Sequence, residues 1–220
     1  MNAIVKTAAN PKGIFPGDRY LNSQFTFKTL KDNLEKHNIL HIATHGFLDS
    51  GNIDESYLLT SQGEKIKKSE IQSLNSYGLP NIHLVILSAC NTGTGGKNSD
   101  NLEIAGISHY FMTNGAKSII ASLWQVNDSA TALFMQQFYK HMQSGKTKGQ
   151  AIQQVQKDLI EGRLTFKDAQ AIDGRAPVSQ ASDSPTSSTS VRTQMRPRSP
   201  VNSLAHPFYW SPFILIGNNL

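Results

Sequence analysis

Residues 84–89, LVILSA, are nearly all apolar. Three comparable runs accompany them: ILHIAT at 39–44, SIIASLW at 118–124 and FILIG at 213–217. A strand with one wet face alternates apolar and polar residues, whereas unbroken apolarity marks a strand covered on both faces. Runs of about six residues are also far short of the ~20 that a membrane-spanning helix needs. The chain therefore has to fold around buried strands with cover on each side.

The cover is legible between the runs. Phe27, Leu30 and Leu34 recur at helical spacing and predict a helix over 27–37, with Asp32, Glu35 and Lys36 facing solvent. Ile104, Ile107 and Phe111 mark a second helix, which the NG pair at 114–115 stops. Ala130, Leu133, Phe134 and Phe138 share one face of a long third helix, with Asp128 placed to cap its N-terminus. Ala151, Val155 and Leu159 mark a fourth helix over 147–161. A short strand at 56–60 and a short helix at 68–74 complete the pattern. Alternating strands and helices predict an α/β fold, a mostly parallel sheet with helices on both faces. Residues 173–205 break it. They are rich in Ser, Thr and Pro, cannot bury enough surface to offset ordering entropy, and read as a disordered insert before the last strand.

In such sheets functional residues sit in loops just beyond the carboxyl ends of the strands. His45 follows the first run, Cys90 the second, and Trp124 and Asp128 the third. Taken singly, Cys90 is an ordinary small core residue and His45 a satisfied polar one. Together they make a nucleophile and its base. A catalytic cysteine needs a neighbouring imidazole to form thiolate near neutral pH, and backbone N–H groups to hold the oxyanion. Gly46 lets a carbonyl approach the backbone closely, and the glycines at 93, 95 and 96 suit an open cleft.

Other chemistries lack their residues. Cys90 is the only cysteine, so no internal disulfide forms. No compact ligand cluster points to zinc, and His41 and His45 on a strand are not a helical HExxH pair. GTGGK lacks the spacing of a phosphate loop, and GxGxxG does not occur, so neither cofactor nor metal is expected. The net charge of +5 is scattered; the densest groups are KIKK at 65–68 and RTQMRPR at 192–198, neither interleaved with aromatics as a nucleic-acid surface would be. The N-terminus lacks the apolar core of a signal peptide. The expectation is a cytoplasmic protein with no nucleic-acid or membrane partner.

ILHIATHG, LVILSACNTGTGG, NGAKSIIASLWQVND and HPFYWSPFILIG, in this order, resemble the successive motifs of the CHAT domain, a caspase-like peptidase domain often appended to tetratricopeptide repeats. The resemblance covers residues from about 25 to 172 and again 206–217. It implies a caspase–hemoglobinase-like fold, a three-layer α/β/α sandwich, and a Cys–His dyad of Cys90 and His45, with Gly46 and Cys90 N–H groups at the oxyanion. Caspases carry Q-A-C-[RQG]-G with the histidine about 50 residues upstream. Here the separation of 45 agrees, but Ser88 replaces the Gln and Asn91 and Thr92 follow the cysteine, which puts caspase-type cleavage after Asp in question. Asp128 matches the acidic position that lines a pocket for a basic side chain in the related separases, and Trp124 lies beside it at the same strand end. The chain departs from the family in its short lead of 38 residues before Ile39, which reads as an N-terminal truncation of a single domain over 1–220. It also departs in its long Ser/Pro insert and in showing no 34-residue repeat of its own, so a tetratricopeptide segment would be a partner or lie upstream.

The leading expectation is a cysteine endopeptidase acting on protein or peptide substrates. The competing one is a non-catalytic signalling or interaction module on the same fold. A small-molecule binder on a Rossmann-like sheet is a third.

Overall fold

A computed structural model of the chain describes residues 4–47, 52–88, 90–91, 102–124, 126–173 and 203–220. In chain order its elements are β1 (Val5–Lys6), β2 (Phe15–Pro16), α1 (Phe27–Leu34), β3 (Ile39–Ile42), β4 (His45–Phe47), β5 (Tyr57–Leu59), β6 (Lys65–Ile66), α2 (Lys68–Ser73), β7 (Leu84–Leu87), β8 (Cys90–Asn91), α3 (Leu102–Thr113), β9 (Ser118–Ser122), α4 (Asp128–Gln143), α5 (Lys148–Ile160), α6 (Phe166–Asp173) and β10 (Phe213–Gly217). This is an α/β fold. The stretch read as a disordered insert, 173–205, lies for the most part outside the described residues, as does most of the Gly-rich loop after Cys90.

The four apolar runs form one sheet in the order β10-β9-β7-β3. β3, β7 and β9 are parallel, and β10 joins β9 antiparallel. β7 is buried along its whole length, as its composition requires. Its side chains alternate between two cores. Leu84 and Ile86 join Ile120, Phe134, Phe138 and Val155 on one face, the side of α4 and α5. Val85 and Leu87 join Leu34, Ile42, Ile71 and Phe111 on the other, the side of α1, α2 and α3. Phe134 of α4 stacks on Phe213 of β10 with ring centroids 4.0 Å apart. Burying one such side chain contributes about 2–3 kcal/mol.

The helix ends follow local chemistry. Thr147 and Gln150 form a reciprocal capping box at the start of α5. α3 stops where the NG pair predicts: Gly115 has φ +118°, and a Cβ there would lie 2.8 Å from Pro80. Two expectations need correction. α1 ends at Leu34, three residues early, because Asn33 and Leu34 carbonyls accept from Lys36 and His37 in a tightened last turn. The first run does not continue unbroken to 44: β3 stops at Ile42 and the chain re-enters a second sheet as β4. α6 and the two-residue pair β1–β2 had no periodic signal to reveal them.

Candidate active site

The second sheet, in the order β6-β5-β4-β8, carries both candidate reactive residues. His45 opens β4 and Cys90 opens β8, so neither sits in a loop beyond a strand end as expected. Thr44, at the break, donates its hydroxyl to the Leu59 carbonyl at 2.6 Å, which turns the chain toward β5. β4 and β8 then pair in parallel, with His45 the register partner of Cys90 and Gly46 that of Asn91. Adjacent strands lie about 4.8 Å apart. The same offset of 45 residues runs through β3 and β7, from Ile39–Leu84 to Ile42–Leu87. Ser88 donates its N–H to the Ile42 carbonyl at 2.9 Å and carries the ladder across the gap. The 45-residue spacing between His45 and Cys90 is therefore the register of one long parallel pair, interrupted by a kink.

His45 is exposed and Gly46 is buried, flanked by Leu58 on one side and Asn91 on the other. No described side chain hydrogen-bonds the His45 ring. Asp54 and Glu55 are each held in an ion pair. Lys67 pairs with Glu55 at 2.8 Å and Lys68 with Asp54 at 2.9 Å. Asp54 also accepts from the Tyr110 hydroxyl of α3. The Lys68 and Tyr110 bonds hold the Asp54 carboxyl below the usual carboxylate range. Most of the KIKK cluster is thus spent within the fold, and Lys65 stands over the Tyr57 ring at 4.5 Å.

The other two expected site residues part company. In the β7–β9 register, Leu87 lies opposite Ala121, so an unbroken ladder would bring Trp124 level with Cys90. β9 ends at Ser122 instead, and its hydroxyl donates to the Trp124 carbonyl at 2.6 Å. The half-buried Trp124 indole donates to the Phe208 carbonyl at 3.0 Å and packs on the core of α4 and α5. Asp128 is exposed at the first residue of α4, and it is not the cap. Asn127 is: its Oδ1 accepts from Ser129 N–H at 2.9 Å and Ala130 N–H at 3.1 Å. Asn and Asp are equally good caps, so an ND pair does not reveal which one serves. The Asp128 carboxylate is left uncommitted to capping, at the positive end of the helix dipole.

One group near the site escaped the sequence reading. His41, dismissed as a metal ligand, lies with Nε2 3.3 Å from the Ser88 hydroxyl and Nδ1 3.2 Å from the Tyr139 hydroxyl of α4. Its ring stacks on Tyr139 at 6.0 Å. The half-buried His41 residue lines a cavity of about 210 Å³ beside β3, with Phe15, Leu30, Leu34 and Ile39. Burial pushes its pKa down to about 3, and pushes that of Tyr139 up. Both rings are neutral near pH 7. Among the described residues no group of three or more His, Cys, Asp or Glu could hold a metal ion, and no helix is long and apolar enough to cross a membrane.

No curated protein matches the chain. A family model does, from residue 2 to residue 218, and with the motif order and the His45–Cys90 register behind it the chain belongs to the CHAT domain family, a family of caspase-like domains.

Proposed function

We propose that the chain is a cysteine endopeptidase that uses a Cys90–His45 dyad. The observation that carries this reading is the parallel pairing of β4 with β8, in which the two residues are register partners. His45 takes the Cys90 thiol proton. The thiolate attacks the scissile carbonyl, and the N–H groups of Gly46 and Cys90 are the proposed oxyanion donors. His45 then protonates the leaving amine, and water, deprotonated by His45, hydrolyses the thioester to release the acid and restore the thiol. The fold proposed for this chemistry is the three-layer α/β/α sandwich of caspases and hemoglobinases, as a single domain. Three parallel strands with a core on each face support it. Asp128 is the proposed specificity residue, favouring substrates with a basic side chain, with Trp124 shaping the same strand end through its backbone. The proposed setting is the cytoplasm, with a protein or peptide substrate and a tetratricopeptide-repeat segment or partner.

A competing reading, a non-catalytic interaction module, draws on the exposed His45 ring having no orienting partner among the described residues. Incubation with a peptide library separates the two. Wild-type protein should cleave and Cys90→Ala should not, since losing a nucleophile costs several orders of magnitude in rate. Equal cleavage by both proteins would sink the dyad.

A further inference from the structure

β3 is the last strand of its sheet, with β7 on one side and no strand on the other. In a parallel ladder alternate residues turn their N–H and C=O to the same neighbour. The carbonyls of Asn38 and Ile42 accept from the Leu84 N–H at 3.3 Å and the Ser88 N–H at 2.9 Å, so Asn38, Leu40 and Ile42 serve β7. Ile39 and His41 turn theirs outward, where they have no hydrogen-bond partner among the described residues. The cavity of about 210 Å³ lies along this edge, and its walls come from both helical layers. Leu30 and Leu34 of α1 belong to the core on one face of the sheet, and Phe15 and Tyr139 pack in the core on the other. The space is therefore in the plane of the sheet, where a further strand would lie. Residues 17–21 line it too; they form no strand, and 18–21 are exposed. His37 Nε2, 3.1 Å from Asp18, ties this stretch to the end of α1.

We propose that the β3 edge is a docking site for an extended, continuously apolar segment of a partner protein, which adds in the plane of the sheet beside Ile39 and His41. A row of unpaired backbone donors and acceptors is a ready template for another strand. A peptide that adds to such an edge gains affinity from main-chain hydrogen bonds and specificity from pockets for alternate side chains. In this slot successive side chains would turn to two apolar cores, so the segment has to be apolar throughout, as the four runs of this chain are. The charged residues lining the cavity, Asp18, Arg19 and His37, are of mixed sign and select no charged occupant. Residues 17–21 swing aside to admit the segment. The site does not depend on the proposed dyad.

The test is residue-resolved amide hydrogen exchange in the full chain, with and without an acetylated, amidated heptapeptide of alternating valine and isoleucine between terminal lysines. In the free protein the Ile39 and His41 amides should exchange about 100-fold faster than those of Leu40 and Ile42, which point to β7. Saturating peptide should slow both by at least about tenfold. The same peptide N-methylated at its two central residues keeps its apolar side chains but, in either register, sets a methyl on the docked edge. By calorimetry it should bind at least about tenfold more weakly than its parent. Ile39→Pro removes an outward donor and no ladder bond, so the variant, shown to be folded by a thermal melt, should lose a similar factor. Equal protection of all four amides without peptide would show that the edge is already paired and overturn the site. Protection lost on dilution would assign the edge to a second copy of this chain and overturn the partner. Exchange indifferent to the peptide, or an N-methylated peptide that binds as tightly as its parent, would refute strand addition.

Discussion

Replacing His41 with Gln should make the protein less sensitive to acid, even if it is less stable at neutral pH. The reason lies in protons bound on unfolding. Folded His41 has a pKa of about 3, because burial disfavours its charged form, while an unfolded histidine titrates near 6.5. Its folded pKa is depressed, so between these values the unfolded chain holds a proton that the folded chain refuses, and stability falls as pH falls. Near pH 7 the penalty is only about 0.2 kcal/mol, since few unfolded molecules are protonated. At about pH 4.5 it reaches about 2.7 kcal/mol, so the step between the two conditions is about 2.5 kcal/mol. Water entering the cavity that the ring faces would lower this figure, which makes it a ceiling.

Urea unfolding at both pH values, for wild type and variant, isolates the term. The carboxylates and the six other histidines are common to the two proteins and cancel in the difference of differences. Wild type should lose about 1–2.5 kcal/mol more than His41→Gln on acidification. An equal loss in both, within about 0.5 kcal/mol, would show that His41 titrates normally and that burial does not disfavour its charged form.

Three further outcomes follow from the packing. Asn127→Ala should cost about 1 kcal/mol in urea unfolding, whereas Asp128→Ala should cost almost nothing and should reduce any preference for basic residues in a peptide-cleavage profile. Phe134→Ala opens a gap against Phe213 and should destabilise by about 3–5 kcal/mol in the same assay. Lys148 is 5% exposed, and its amine donates to the His83 carbonyl at 3.3 Å, with burial pulling its pKa down. Its folded pKa is depressed, so the cost of burying the charge is present at neutral pH and vanishes above the unfolded lysine range. Lys148→Met should therefore be neutral or stabilising near pH 7, and any gain should fade in unfolding experiments above about pH 10.5.

The parts of the fold that sequence reveals are those set by burial. β7 and β9 were legible because a strand buried on both faces has no polar phase to hide in, β10 because its apolar run is unbroken, and α4 and α5 because their apolar stripes are long. What was missed is small or decided by contacts distant in sequence. β1 and β2 are two residues each, too short to show any period. The split of the first run into β3 and β4 depends on Thr44 reaching Leu59, 15 residues away. The site divides in the same way. His45 and Cys90 stood out as candidates because each ends an apolar run, and the register pairs them. The Ser88–His41–Tyr139 chain was not legible, since it joins residues 47 and 98 positions apart, and a histidine inside a strand reads as a lone polar residue.

That histidine also bears on why His45 and Cys90 come into register. In most sheets the hydrophobic pattern chooses the register, because a slip of one residue turns the apolar face to water. β3 and β7 are apolar on both faces, so a slip would exchange one buried aliphatic side chain for another at little hydrophobic cost. The side chain of β3 that cannot be exchanged is His41. Slipped by one, its ring would turn away from Tyr139 and Ser88 toward the core of Ile42, Val85 and Leu87. A buried polar group stranded without partners costs about 1–3 kcal/mol. The two hydroxyls therefore select the register that Ile39–Leu84 and Ile42–Leu87 display. Three residues further along, the same register sets His45 beside Cys90.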